Sequence, residues 1–387
     1  MQKLTINTSL DKGFNHMAKV SARQKKQEKI NELEAELSKT KYNKRTQHSV
    51  GLLKAKIARL KDVEVKASGK KSATDGYNVR KTGDGTIILV GFPSVGKSTL
   101  LNAITNAESP VGAYDFTTLS VIPGLLEHKH AKIQVLDVPG IVAGAAVGTG
   151  RGKEVLACAV NADLVLMLID VFNIKHLDVI KKEIYDTRIR LNQEKPFVKI
   201  TKTSKGGLIV GATVKLTKIN KQTVKAIMNE FRIFNADVVL RSDINADQLI
   251  DAIEDNRRYI PGILVLNKID LIGEKKLEKL KKEFKPDLCI SANKKEGIQK
   301  LKDLIFERMQ YIRIYCKEIG KDADMLEPLI MFENATLHDM CSKLHKDFVT
   351  KFKFARVWGK SVKYDGQKVL KLKHILKDQD IVELHID

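Results

Sequence analysis

Residues Gly91-Phe92-Pro93-Ser94-Val95-Gly96-Lys97-Ser98 read G-x-x-x-x-G-K-S, after the β-branched run Thr86 to Val90 and before a helix candidate, Ser98 to Asn106. No other feature restricts the fold as much. A turn that closes backbone N–H groups around an anion needs a strand to deliver it, glycines to let the backbone approach, and a helix N-terminus whose dipole adds to the field. In that setting Gly91, Pro93, Ser94, Val95 and Gly96 form a phosphate cradle. Lys97 sets a cation against the β and γ oxygens, while Ser98, followed by Thr99, offers a hydroxyl to Mg²⁺. Alone the pattern names a nucleoside triphosphate without naming its base.

Three further apolar runs, Lys132 to Leu136, Leu164 to Ile169 and Ile263 to Leu266, alternate with helical stretches. Continuous apolar strands between helices indicate an α/β domain with a mostly parallel sheet covered on both faces, its ligand at the carboxyl ends of the strands. Asp137-Val138-Pro139-Gly140 follows one such strand, so Asp137 reaches Mg²⁺ through water and the Gly140 N–H bonds the γ-phosphate. Asn267-Lys268-Ile269-Asp270 ends another. A carboxylate at Asp270 accepts both the N1 and N2 hydrogens of guanine, a pair that adenine lacks, and ATP would leave it buried and unsatisfied. After the run Leu288 to Ile290 comes Ser291-Ala292-Asn293, whose Ala292 N–H braces the base. Asp115-Phe116-Thr117-Thr118 supplies a threonine to ligate Mg²⁺ and sense the γ-phosphate; Thr118 is favoured, with Thr117 the alternative. The glycine-rich stretch Ile141 to Gly152 reads as a second switch, and its Arg151 as a phosphate-sensing or partner-facing residue rather than a cis arginine finger. These residues predict a GTPase that converts GTP to GDP and phosphate, with Lys97, Thr118 and Gly140 catalytic and Ser98, Thr118 and Asp137 around the metal.

The 130 residues between Asp137 and Asn267 far exceed the roughly 60 to 70 that two βα units occupy. An inserted basic α+β domain is expected at 175–245, with strands at Lys199 to Thr203 and Leu208 to Leu216 and a helix at Lys221 to Phe231; nine Lys and Arg face one acid, Glu230, between Lys195 and Arg232. The GTPase domain then comprises 86–174 and 246–310. Helical periodicity in Gln27 to Lys39 and His48 to Leu60 gives a hairpin over 19–66 with the cationic tip Lys41 to Gln47, followed by a linker at 67–85. Residues 1–18 show no periodicity and, with Asn15-His16-Met17, resemble a cloning junction or an internal start. Residues 311–387 read as a compact α+β module with Trp358 in its core and His338 and His345 structural.

Charge separates these parts. Residues 1–81 hold 20 Lys and Arg against 8 Asp and Glu, residues 175–310 hold 29 against 19, and residues 82–174 hold 5 against 8. Basic appendages on a neutral engine point to a polyanion, most simply RNA. No apolar run approaches the roughly 18 residues of a membrane span, and Cys158, Cys289, Cys316 and Cys341 lack metal or disulfide spacing. A monomeric cytoplasmic protein without a membrane partner is expected.

The segments GFPSVGKSTLLNAIT, YDFTTL, DVPGIVAGAAVGTGRGKE and NKID resemble the Obg class of GTPases. With the hairpin, the insert, and a tail containing Phe354-Ala355-Arg356-Val357-Trp358-Gly359, residues 19–387 are similar to the developmentally regulated GTP-binding (DRG) family. The resemblance implies a P-loop GTPase fold, an insert similar to a domain of a small-subunit ribosomal protein, and a tail that is a TGS module with a β-grasp fold. It also implies association with the ribosome and translation, with a ribosome-associated regulatory protein as a further partner. Two departures bear on mechanism. Ile141 stands where Ras-like enzymes carry a water-orienting glutamine, so intrinsic hydrolysis is expected to be slow. Ser94 stands where potassium-activated relatives carry asparagine; its hydroxyl keeps K⁺ as a candidate cofactor. The rival reading is an RNA- or ribosome-binding adaptor that nucleotide merely stabilises.

Overall fold

The structure, a computed structural model, describes residues 24–41, 43, 45–68, 83–105, 122–137 and 162–386. Its first elements are helices α1 (24–39) and α2 (Gln47–Ser68), strand β1 (Gly85–Val90), helix α3 (Lys97–Ile104), and strands β2 (Ile122–His128), β3 (Ala131–Asp137) and β4 (Leu164–Asp170). Helix α4 (His176–Asp186) and strands β5 (Ile189–Leu191), β6 (Val198–Lys202) and β7 (Leu208–Ala212) follow, then α5 (Lys221–Glu230), β8 (Ala236–Leu240), α6 (Ala246–Glu254), β9 (Arg258–Ile260) and β10 (Gly262–Asn267). The remainder is α7 (Glu274–Phe284), β11 (Leu288–Cys289), α8 (Ile298–Arg308), β12 (Tyr311–Lys317), β13 (Leu329–Phe332), α9 (Leu337–Leu344), α10 (Lys346–Thr350), β14 (Phe352–Trp358), β15 (Gln367–Val369) and β16 (Ile381–Ile386). These elements fall into two units, one built from the N-terminal helices with Glu194–Arg257, the other from the segment ending at Gln193 and from Arg258–Asp387.

The central sheet of the second unit has the order β11-β10-β4-β1-β3-β2, and every neighbouring pair is parallel except β2 with β3. All residues of β1 and β4 are buried because alternate side chains feed two cores. Ile87, Leu89, Leu166 and Leu168 pack with Leu100 and Ile104 of α3 and Leu301 and Ile305 of α8. Ile88, Val90, Val165 and Met167 pack on the other face with Leu177, Ile180 and Ile184 of α4. Each such aliphatic side chain contributes about 1.5–3 kcal/mol when fully buried, and this holds the strand ends in fixed positions. Strand order reverses on either side of β1, which opens a crevice at its carboxyl end. Register then sets the neighbours: Leu89 pairs with Asp137, Val90 with Met167, and Asn267 with Asp170.

The carboxyl-terminal sheet runs β13-β12-β16-β14-β15, with β12 and β16 parallel and the other pairs antiparallel. Helix α9, begun by a capping box between Thr336 and Asp339, packs Leu337 and Met340 on Ile314, Val357 and Val382. Trp358 differs from expectation. Alternation along β14 buries Ala355 and Val357 in this core and turns Trp358 to the other face, half-buried, with Lys317 Nζ 4.9 Å from its ring centroid.

In the first unit, β8 pairs with β6 antiparallel and with β7 parallel. Ala55 of α2 is buried with Val224, Ile227 and Met228 of α5 and Leu249 and Ile250 of α6. Gly51 permits this approach: a Cβ there would lie 2.9 Å from Thr223 Cγ2. Lys54 bonds Asp247 at 2.6 Å and Arg59 bonds Glu230 at 2.8 Å, so part of the basic surface of α2 is spent on this packing. Asn220 and Asn245 cap α5 and α6 through the Thr223 and Gln248 N–H groups, which fixes where both helices begin.

Candidate nucleotide site

The phosphate loop leaves β1 and enters α3, and two features force its path. A Cβ on Gly91 would lie 2.5 Å from the Leu168 carbonyl oxygen of β4, and Gly96 has φ +95° in the left-handed region. Val95 is buried in the sheet core and anchors the middle of the loop, while Pro93, Ser94 and Thr99 are exposed along it. Lys97 Nζ donates to the carbonyls of Gly91 at 3.0 Å and Phe92 at 3.2 Å, so the cation curls over the loop it serves. Burial pulls its pKa below the ordinary lysine value, and the charge of Asp137 acts in the opposite direction.

Ser98 Oγ donates to Asp137 Oδ2 at 3.3 Å. The other carboxylate oxygen, Oδ1, is buried and has no hydrogen-bond partner among the described residues. A hydroxyl and an orphaned carboxylate oxygen are hard donors that suit a hydrated Mg²⁺, so the residues present fit that ion. Thr117, Thr118, Gly140, Ile141 and Arg151 lie outside the described residues.

The base side is built on β10 and β11. Asn267 is buried; its Nδ2 donates to the Val95 carbonyl at 2.9 Å and its Oδ1 accepts from the Ala292 N–H at 3.0 Å. One amide thus ties the phosphate loop to the segment after β11. Ser291, fully buried, exchanges two backbone hydrogen bonds with Glu296 and accepts from the Lys294 N–H at 3.2 Å, which shapes that segment. Lys268 has φ +65°, and its Nζ donates to the Ser94 carbonyl at 2.6 Å. Asp270 lies in the 3₁₀ turn Ile269–Leu271, partly exposed at the mouth of the crevice. The phosphate loop with Lys97 thus follows β1, and the segment carrying Asp270 follows β10 in the same sheet, tied to that loop through Asn267 and Lys268.

Residues 86–203 match the family described as 50S ribosome-binding GTPase, 205–311 the C-terminal region of that domain, and 312–386 the TGS domain. An uncharacterized GTP-binding protein of Methanocaldococcus jannaschii is 51% identical over 364 residues, 93% of each chain. Developmentally-regulated GTP-binding protein 1 of Xenopus laevis is 43% identical over 362 residues, covering 92% of this chain and 98% of that one. Developmentally-regulated G-protein 3 of Arabidopsis thaliana is 44% identical over 363 residues with the same coverage. The chain belongs to the developmentally regulated GTP-binding protein family. It is a GTP-binding GTPase with a P-loop domain and a carboxyl-terminal TGS domain, as the sequence resemblance implied.

Within this DRG protein, sequence reasoning left one residue of the crevice unassigned. Asp170 closes β4 and sits 3.6 Å from Lys268 Nζ. The signal was an apolar strand ending in an acid, the same pattern that singled out Asp137. Phe92 also stacks on His176, ring centroids 3.8 Å apart, which packs the back of the phosphate loop on α4. No helix among the described residues is long and apolar enough to cross a membrane.

Proposed function

We propose that this protein is a GTP-driven switch acting in translation through contact with the ribosome or its RNA. The observation that carries the nucleotide half is the double tie made by Asn267, which joins the base segment to the phosphate loop. On this reading the N–H groups of Ser94 to Ser98 receive the β-phosphate, with Gly91, Pro93, Ser94 and Val95 lining it and Thr99 beside it. Lys97 leaves the Gly91 and Phe92 carbonyls for the phosphate oxygens, and Asp270 pairs with guanine beside Lys268 and Ala292, with Ser291 holding that segment in shape. Ser98, Thr118 and Asp137 hold Mg²⁺, which neutralises charge developing on the phosphates. The Gly140 N–H reads the γ-phosphate, and release of the Thr118 and Gly140 loops after hydrolysis supplies the switch. With Ile141 unable to orient water, turnover is slow until a partner or another group takes that role; Ser94 is the residue to bear any K⁺ stimulation.

The ribosomal half rests on charge and on the family description. Residues 195–232 carry nine Lys and Arg against Glu230, and residues 86–203 match a family described as ribosome-binding. A lysine-rich surface of this density binds phosphates by counterion release. A single-turnover GTP assay with and without purified ribosomes tests the proposal. Stimulation by ribosomes supports it; equal rates, with no salt-sensitive binding, reject it.

A further inference from the structure

Asp170 is 3% exposed, which is rare for a carboxylate without full pairing. Its Oδ1 accepts from the N–H groups of Phe172 at 3.0 Å and Asn173 at 2.8 Å, and its Oδ2 accepts from Asn173 Nδ2 at 3.3 Å. Burial alone would raise its pKa, but these bonds, led by that of the Asn173 side chain, together with the charge of Lys268 hold it below the usual carboxylate range. The carboxylate is therefore a fixed anion at the end of β4, one strand from Asn267, with which it is in register. Its remaining reach is toward Lys268 Nζ at 3.6 Å, and that ammonium in turn donates to the Ser94 carbonyl at 2.6 Å.

Lys268 needs such an anchor. A non-glycine residue at φ +65° costs on the order of 1 kcal/mol and persists where its surroundings over-determine it. Asn267 cannot supply that anchor, because both of its amide groups are committed to Val95 and Ala292. The cation lies between a buried carboxylate and a loop carbonyl, and among the described residues the carboxylate is the one anion paired with it.

We infer that Asp170 is a positioning residue for guanine nucleotides: it fixes Lys268 against Ser94, so that base loop and phosphate loop form one preformed site. The inference rests on the nucleotide reading of Lys268 given above. Because Asp170 acts through the loops and meets neither the γ-phosphate nor the guanine edge, it tunes GTP and GDP alike and leaves base choice to Asp270. In Asp170→Asn, Oδ1 still accepts from Phe172 and Asn173, while the charge facing Lys268 is replaced by an amide.

The test is a double-mutant cycle on the full chain, read as dissociation of fluorescent GDP and a GTP analogue. The variants are D170N, K268A and D170N/K268A. D170N and K268A are each expected to weaken both nucleotides about two- to fivefold, the scale of one partly exposed ion pair, with no further loss in the double variant. The ratio of guanosine to xanthosine affinity should not move in D170N, a readout that general loosening of the crevice would shift. If K268A weakens binding and D170N does not, or if the two effects multiply in the double variant, the positioning role is overturned. If K268A is itself silent, the nucleotide role of Lys268 falls and the inference falls with it. Should D170N fail to fold, Asp170→Ser, which can still cap the Phe172–Asn173 turn without a charge, replaces it under the same criteria.

Discussion

Asn267→Ala isolates the contact on which the site most depends. The side chain is 2% exposed, and its two amide groups satisfy two backbone partners, the Val95 carbonyl at 2.9 Å and the Ala292 N–H at 3.0 Å. Truncation leaves both buried partners unmet at about 1–3 kcal/mol each, and entry of water from the adjoining crevice brings the sum toward about 2–4 kcal/mol. For a unit of this size each kcal/mol shifts the melting temperature by about 2–4 °C, so nucleotide-free protein should melt about 5–15 °C lower. Nucleotide binding must then also order the phosphate loop, which should weaken GDP and GTP at least about tenfold. Differential scanning fluorimetry of the nucleotide-free chain and calorimetric titration with GDP measure the two effects separately. A melting shift under about 1 °C together with unchanged GDP affinity would refute the view that this amide holds the two loops together.

Asp270→Asn should weaken GTP and shift preference toward xanthosine nucleotides, since an amide donor replaces the acceptor for the N1 and N2 hydrogens; unchanged GTP affinity by calorimetry would remove the guanine assignment. Lys97→Ala and Ser98→Ala should each abolish Mg²⁺-dependent hydrolysis with an unchanged circular dichroism spectrum, and normal phosphate release by both would remove the phosphate-loop assignment. Asp170, whose pKa is depressed on folding, contributes stability that is fully present above the unfolded value near about 4 and is lost as pH falls through the folded value. Acid unfolding of D170N should accordingly lose part of its steepness below about pH 4, and an unchanged acid profile would contradict this. Reversing Lys202, Lys205, Lys215 and Lys218 to glutamate should weaken ribosome binding and flatten its salt dependence by about 0.7–0.9 in log–log slope for each phosphate no longer neutralised, with GTP affinity untouched.

What could be read in the sequence were features with a single physical meaning. Val90 ends a β-branched run that can only be a buried strand, Gly96 and Lys97 fix the turn after it, and Asn267 and Asp270 end a second strand, so the sheet and the crevice were legible together. Strand β2 was not. Its Pro123-Gly124 pair breaks the alternation that marks a strand, and such residues are tolerated there because β2 lies at the sheet edge, pairing only with β3. Trp358 was read into the core because large aromatics usually belong there, but residue type does not say which face of β14 is covered, and α9 settles that. Asp170 escaped because its function is a tertiary coincidence: a carboxylate after β4 matters only once register sets it beside β10.

Strand β1 carries a consequence for the TGS module. At its carboxyl end stands Gly91, pressed on Leu168; at its amino end stands Gly85, and a Cβ there would collide with the Tyr311 hydroxyl and lie 2.6 Å from Met309 Cε. Tyr311 is the first residue of β12 and shares the GTPase core with Ile87, Ile133 and Ile330, while Lys343 of α9 reaches back to Asp84 at 2.8 Å. Burial in this seam raises the Tyr311 pKa far above the usual phenol value, with the charges of Asp163 and Asp84 adding to it. The hydroxyl is therefore held in its neutral form. The amino ends of β1 and β3 are clamped: Asp84 Oδ2 accepts the Lys132 N–H at 3.0 Å while its Oδ1 holds Lys343. Since the carboxyl ends of the same two strands carry the phosphate loop and Asp137, a strand displaced by nucleotide meets a close-packed stop at its far end. The TGS module thus shares its packing with the sheet core at the ends of β1 and β3 opposite the phosphate loop.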